Sequence, residues 1–273
     1  MPIEPRVPAD SPDFPGDPSP QPPFGLGDSV RSAALFAVGL PHLAAWTAFV
    51  AAVAEVGDVR RVDRAIKLMS RAVPALAGVR VRVRGREAID PAGTYVYVVN
   101  HVNIFDMFVI YQAIPQYTRS LEHADHFSWP LFGRFITAAG QIPVDPNDRR
   151  ITARGLVQAA RMLRAGDSLV VLPEGERTLD GSVGPFHPGA FRLAIQTGRP
   201  LVPMAIHGGR AVNRRGDWRV RPGPIEVRFG APVDVDGLAG ADARALAERC
   251  RSIVIDLLRG RLAPGSAPVE AGD

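Results

Sequence analysis

Residues 33–54, AALFAVGLPHLAAWTAFVAAVA, contain no Asp, Glu, Lys or Arg. A helix of that length reaches about 33 Å, enough to cross the hydrocarbon core of a bilayer. Such a surface has to hide from water, in lipid or in protein. Three arrangements achieve this: a spanning helix, a short re-entrant or interfacial helical pair interrupted at Pro41-His42, or a buried helix of a soluble core. The bases Arg60, Arg61, Arg64, Lys67 and Arg71 follow directly. By the positive-inside tendency this places the following chain on the cytoplasmic side. Residues 29–77 are therefore expected to be a membrane-associating helical segment, peripheral or monotopic at the cytoplasmic face of the cell membrane.

The flanks differ in kind. Residues 1–28 hold nine of the 26 prolines and five acids against one base. They read as a disordered tail, without the basic start and apolar core of a signal peptide. Residues 263–273 read as a second flexible tail. The net charge of +4 thus leaves about +8 on the remaining chain, most of it arginine. That balance suits anionic lipid, phosphorylated substrates or nucleic acid. The arginines are spread over several elements with no recognised nucleic-acid motif, so a nucleic-acid partner is not expected. The single cysteine, Cys250, permits no internal disulfide and reads as a small apolar residue of a C-terminal helix rather than a nucleophile.

Residues 78–262 alternate strand and helix patterns. Valines alternate with Arg80, Arg82 and Arg84 over 79–87, as in a half-buried strand with one basic face. The run TYVYVVN (94–100) is β-branched and aromatic, as a central strand would be. A helix is expected from about Asn103. Strands are expected at 141–145, 167–175, 199–208 and 225–230. An amphipathic helix is expected at 151–166, and a last helix at 241–260, closed by Gly260. The order implies an α/β domain whose mixed, largely parallel sheet is flanked by helices. In such sheets polar sites gather where strands end and helices begin.

Four strand ends carry polar groups. NHVNIFD (100–106) places His101 at a turn and a carboxylate, Asp106, five residues on. A carboxylate bonded to one imidazole nitrogen fixes the tautomer and leaves the other to accept a proton, so the pair can serve as a general base for a hydroxyl. Asn103 also suits a helix N-cap, and Asp106 the first helical turn. LPEGER (172–177) puts Glu174, Gly175 and Arg177 at one turn, where backbone N–H groups and a guanidinium can hold an anion. GQIPVDPNDRR (140–150) and PLVPMAIHG (200–208) are the other two ends. A metal-dependent hydrolase built on His101, Asp106, His187 and His207 is a rival, but these residues lack metal-ligand spacing.

In this order, NH-x4-D, G-x-I-P-V-D, P-E-G-x-R and P-L-V-P-x-A-I-x-G, the chain resembles the lysophosphatidate/glycerophosphate acyltransferase family from about residue 79 to 230. The resemblance implies an O-acyltransferase that moves a fatty acyl chain from acyl-CoA or acyl carrier protein to a hydroxyl of a lyso-glycerolipid. Its expected partners are membrane lipids and the thioester donor. It implies His101 as the base, Asp106 as its orienting carboxylate, and no metal or organic prosthetic group. Asn100, Asn103, Glu174, Gly175, Arg177 and Arg149 are assigned to substrate binding. Three positions depart from the family pattern. Asn103 stands where Ser is usual, Glu176 where Thr is usual, and Pro146 where an Arg is usual, with Arg149 and Arg150 close behind. An acceptor other than lysophosphatidate, and a catalytically silent membrane-binding relative, are the alternatives.

Overall fold

The computed structural model describes residues 23–56 and 59–261. Of the tails expected at 1–28 and 263–273, residues 1–22 and the whole of the second lie outside them. Two helices, α1 (Leu26–Val56) and α2 (Val59–Leu76), precede the sheet. There follow β1 (Val79–Arg84), β2 (Val96–Val99), α3 (Asp106–Ala113), β3 (Thr118–His123), α4 (Phe132–Ala138) and β4 (Ile142–Val144). The chain continues through α5 (Arg149–Arg164), β5 (Ser168–Val171), α6 (Gly189–Thr197), β6 (Leu201–His207), α7 (Gly209–Val212), β7 (Gly223–Phe229) and α8 (Ala243–Leu258).

The seven strands lie in the order β1-β7-β6-β2-β5-β3-β4. Only the β6–β7 pair is antiparallel. The sheet is thus mixed and largely parallel, as the alternating patterns imply. The centre is buried on both faces, which explains why β2 reads as an unbroken apolar run. Val96 and Val98 face α5, α6 and α8, whereas Tyr97 and Val99 face the α3 side. A third cluster joins α1, α2 and α4 through Val50, Ile66, Met69, Tyr111 and Phe135.

Three expectations need correction. First, the break at Pro41-His42 is absent: α1 runs through Pro41, whose side chain is exposed. Second, the tail expected over 1–28 ends earlier, because Leu26–Asp28 already belong to α1. Asp28 is held 2.6 Å from Arg221, a partner 193 residues away that no local pattern reveals. Third, the helix expected from Asn103 begins at Asp106, and its N-cap is Phe105. Asn103 instead accepts the Phe105 N–H at 2.8 Å, a tight turn before the helix rather than a cap.

β3 and α6 escaped the pattern reading. β3 is polar, TRSLEH, yet Thr118 and Ser120 are buried. Ser120 donates its N–H and hydroxyl to the buried Gln141 carbonyl, so hydrogen bonds replace apolar packing there.

Candidate active site

The site is built where β2 ends. The chain turns sharply over 100–105, and Asp106, at the start of α3, reaches back over the turn. Its Oδ2 accepts from His101 Nδ1 at 2.7 Å, Val102 N at 2.5 Å and Asn103 N at 3.0 Å. Asp106 is 1% exposed and its Oδ1 has no hydrogen-bond partner. A buried carboxylate needs such donors, because leaving it unpaired costs several kcal/mol. With Nδ1–H donated to Asp106, the assigned tautomer leaves His101 Nε2 an acceptor. The ring keeps 27% exposure, so it is open to the cleft.

The backbone of His101 is held as firmly as its ring. Its N–H donates to Glu174 Oε1 at 2.8 Å, and its carbonyl accepts from Thr178 N at 2.9 Å. Both partners come from the loop after β5, the strand paired with β2. Glu174 Oε2 accepts in turn from Gly184 N at 2.7 Å. Arg251 of α8, 5% exposed, donates to the Gly184 and Val183 carbonyls at 2.9 and 3.0 Å. A continuous polar chain thus runs from the C-terminal helix to the histidine.

This corrects three substrate-binding assignments. Glu174 spends both oxygens on backbone N–H groups and positions His101. Asn100, 3% exposed, donates to the Ile206 carbonyl at 3.2 Å and accepts from Ile206 N at 2.7 Å, tying β2 to β6. Asn103, 1% exposed, donates to the Gly209 carbonyl at 2.8 Å. Gly209 has to lack a side chain, since a Cβ there would lie 2.9 Å from that amide. These amides are consumed within the protein because both flank a turn that three elements must share.

The other assigned residues reach the surface. Gly175 is exposed and takes φ +76°, a conformation that suits glycine. Arg177 is half-buried, and its guanidinium makes no hydrogen bond or ion pair among the described residues. Arg149 is exposed in the first turn of α5. It follows the edge strand β4, three strand positions and therefore about 14 Å from β2. No bond joins it to the turn. His187 donates its backbone N–H to the Pro173 carbonyl at 2.8 Å, and His207 closes β6 in register with Glu226. Among the described residues no three His, Cys, Asp or Glu side chains converge as a metal would require. Cys250 is fully buried, and burial pushes its thiol up to about 12.

Beside the turn, an apolar groove of about 200 Å³ separates α1 from α3. Leu35, Phe36 and Leu40 of α1, Leu76 of α2, and Ile104 and Phe108 line it. Ile104 belongs to the His101–Asp106 turn itself. Pattern reading missed this groove, the role of Thr178 at the end of LPEGERT (172–178), and Gly184, Gly209 and Arg251, which sit in no chemical motif. A run of arginines over 210–221 was the one visible sign of a cationic rim beyond β6.

Comparison with known proteins identifies the family and the fold. The family model described as Acyltransferase matches residues 80–207. A 1-acyl-sn-glycerol-3-phosphate acyltransferase alpha of Homo sapiens is 30% identical over 195 residues, covering 71% of this chain and 69% of that protein. A 1-acyl-sn-glycerol-3-phosphate acyltransferase of Cocos nucifera is 29% identical over 164 residues, covering 60% of this chain and 53% of that protein. The chain thus spans little more than half the length of that plant relative. The crystal structure of the 1-acyl-sn-glycerophosphate acyltransferase PlsC from Thermotoga maritima superposes with a TM-score of 0.75 at 20% identity, covering 86% of this chain and 96% of that one, and shows the shared fold. With the motif order, the fold and a relative of this identity in agreement, the chain belongs to the 1-acyl-sn-glycerol-3-phosphate acyltransferase family.

Proposed function

We propose that the protein transfers a fatty acyl chain from an acyl-CoA or acyl carrier protein thioester to the free hydroxyl of 1-acylglycerol-3-phosphate, forming phosphatidate. The observation that carries this reading is the half-open imidazole of His101, held through Nδ1 by a buried carboxylate and through its backbone by the loop after β5. Such a ring takes a proton at Nε2 without moving. His101 removes the acceptor's hydroxyl proton as that oxygen attacks the thioester carbonyl. The tetrahedral adduct collapses, the C–S bond breaks, and the imidazolium returns the proton to the leaving thiolate. Asp106 stabilises the transient imidazolium. The balance is one thioester and one alcohol giving one ester and one thiol. No acyl-enzyme, metal or organic prosthetic group is required.

The apolar groove beside Ile104 suits an acyl chain, and Gly175 with Arg177 suits the anionic head. The reading also covers location. Helix α1 is long and apolar enough to cross a membrane. Yet it is tied to the domain at both ends. Ser32 exchanges hydrogen bonds with Val220, Asp28 pairs with Arg221, and Val50 is buried against the α2–α4 cluster. Between these ties Val38 and Phe49, which share one face of the helix, are exposed. A helix fastened this way lies along the domain and presents one face to lipid, a monotopic arrangement at the cytoplasmic leaflet.

The deciding experiment supplies labelled acyl-CoA, then acyl carrier protein, with 1-acylglycerol-3-phosphate and a panel of other lyso-lipids. Wild type is expected to make phosphatidate, and His101→Ala to lose it. Equal product from both would remove His101 from the mechanism. For location, Val38→Asp with Phe49→Asp is expected to abolish co-sedimentation with anionic vesicles. Retention of the double variant on vesicles would refute the monotopic assignment.

A further inference from the structure

The two rims of the cleft arrange their charges differently. The end of β3 and the segments after β3 and β4 carry Glu122, Asp125, Asp145 and Asp148, with His123 and His126 among them and the exposed Arg149 and Arg150 directly after. Asp148 accepts the Arg150 and Ile151 N–H groups at the start of α5. Beyond β5 and β6 two arginines belong to the loop that clamps His101 or are bonded to it, Arg177 and Arg215.

Arg215, three residues past α7, crosses to that loop. Its Nη1 donates to the Arg177 carbonyl at 2.7 Å, and its Nη2 lies 2.8 Å from Glu176 Oε2. The two side chains are 31% and 53% exposed, so the ion pair is open to water and readily exchanged. One residue further along the loop, Thr178 holds the His101 carbonyl. A guanidinium already facing a carboxylate has the right donors for a phosphate monoester, which brings more charge and three acceptor oxygens.

We propose that Arg215 is the second cation for the acceptor's anionic head group, acting with Arg177, and that Glu176 holds this place as an internal counter-ion until the acceptor displaces it. The proposal rests on the acyltransferase reading above and names the head-group contacts of the same site. It accounts for a carboxylate tolerated next to an anion site. Glu176 points at Arg215, and being exposed it can swing aside without unpacking any core.

The test compares two acceptors that differ only in phosphate, 1-acylglycerol-3-phosphate and 1-acylglycerol, using the full chain on phosphatidylcholine vesicles with acyl-CoA. Arg215→Ala is expected to raise KM for the phosphorylated acceptor about tenfold or more, the effect of losing a charge-assisted hydrogen bond. Its kcat, its donor KM and its transfer to 1-acylglycerol are expected to stay within about twofold. Glu176→Gln, at an exposed position, is expected to lower the same KM about threefold by removing the competing charge. A purely structural ion pair would make both variants shift together, because both break it. Shifts in the same direction, or equal effects on the two acceptors, overturn the proposal. If wild type transfers no acyl chain, the functional reading fails, and calorimetry with glycerol 3-phosphate decides the site. Weaker binding by Arg215→Ala then supports it, whereas equal binding, or none by wild type, overturns it.

Discussion

The turn that carries His101 and the loop edge that carries Arg177 and Arg215 are neighbours, yet they are built by opposite rules. At the turn nearly every polar group is spent inside the protein. Asp106 Oδ2 takes three donors, Glu174 takes two, and Asn100 and Asn103 are closed off by β6 and Gly209. At the loop edge, the Arg177 guanidinium has no partner among the described residues, and Arg215 is held by an ion pair that water can reach. The difference separates two tasks. A general base has to be fixed before substrate arrives, because reorganising it would add to the barrier. A head-group site has to exchange one set of anion contacts for another, so its contacts are weak and exposed.

Substitutions break this contrast in order of size. The largest effect is expected at the base: His101→Ala should lower kcat about 10²- to 10⁴-fold, the usual worth of a positioned proton acceptor, with only a small fall in melting temperature, because Val102 N and Asn103 N still hold Asp106. Asp106→Asn should cost a similar factor, because the amide keeps an oxygen for the three donors of Oδ2 but loses the charge that stabilises the imidazolium, and it should lower the melting temperature, because its NH2 group takes the buried, unpartnered Oδ1 position. A normal rate in either would mean that the closed turn is scaffold only.

Next comes Glu174→Gln. An amide offers one acceptor oxygen where two are needed, so either His101 N or Gly184 N loses its partner. A fall in kcat of about tenfold is expected with little change in acceptor KM, the signature of a positioning residue. A selective rise in acceptor KM would instead return Glu174 to substrate binding. Arg251→Lys extends the test to α8. Lysine cannot serve the Val183 and Gly184 carbonyls with the same fork. A loss of about 2 kcal/mol in stability is expected from chemical unfolding, with a smaller effect on rate.

The smallest effect is expected at Cys250. Its thiol, raised to about 12 by burial, stays protonated from neutral pH to about pH 10, so alkylation in that window should await unfolding. Cys250→Ala should leave acyl transfer unchanged. Rapid alkylation of the folded protein at pH 8 would show that α8 is looser than its packing implies.

Much of the framework was legible locally. Strands β1, β2, β5, β6 and β7 follow from alternation or apolar runs, and α5 from its amphipathic spacing, because these signals belong to neighbouring residues. His101 and Asp106 were legible as a pair because five residues of turn bring them together. Elsewhere the local signal misled. Asn103 has the composition of a cap, but Gly209, over a hundred residues away, claims its amide. Glu174 has the look of a ligand, but the N–H groups of His101 and Gly184 claim its carboxylate. β3 carried no apolar pattern, since its buried hydroxyls are satisfied by a distant glutamine.

The amino-acid sequence by itself determined the α/β architecture, the His101–Asp106 pair and an apolar N-terminal helix, all of which depend on residues close in the chain. The tertiary structure decided which polar residues are spent on the scaffold and which remain for substrate. It also decided that α1 lies along the domain and that Glu176 faces Arg215. The reason is physical: a hydrogen bond or ion pair goes to whatever group folding brings within 3 Å, and here those groups come from β5, β6 and α8, far along the chain from the turn they hold.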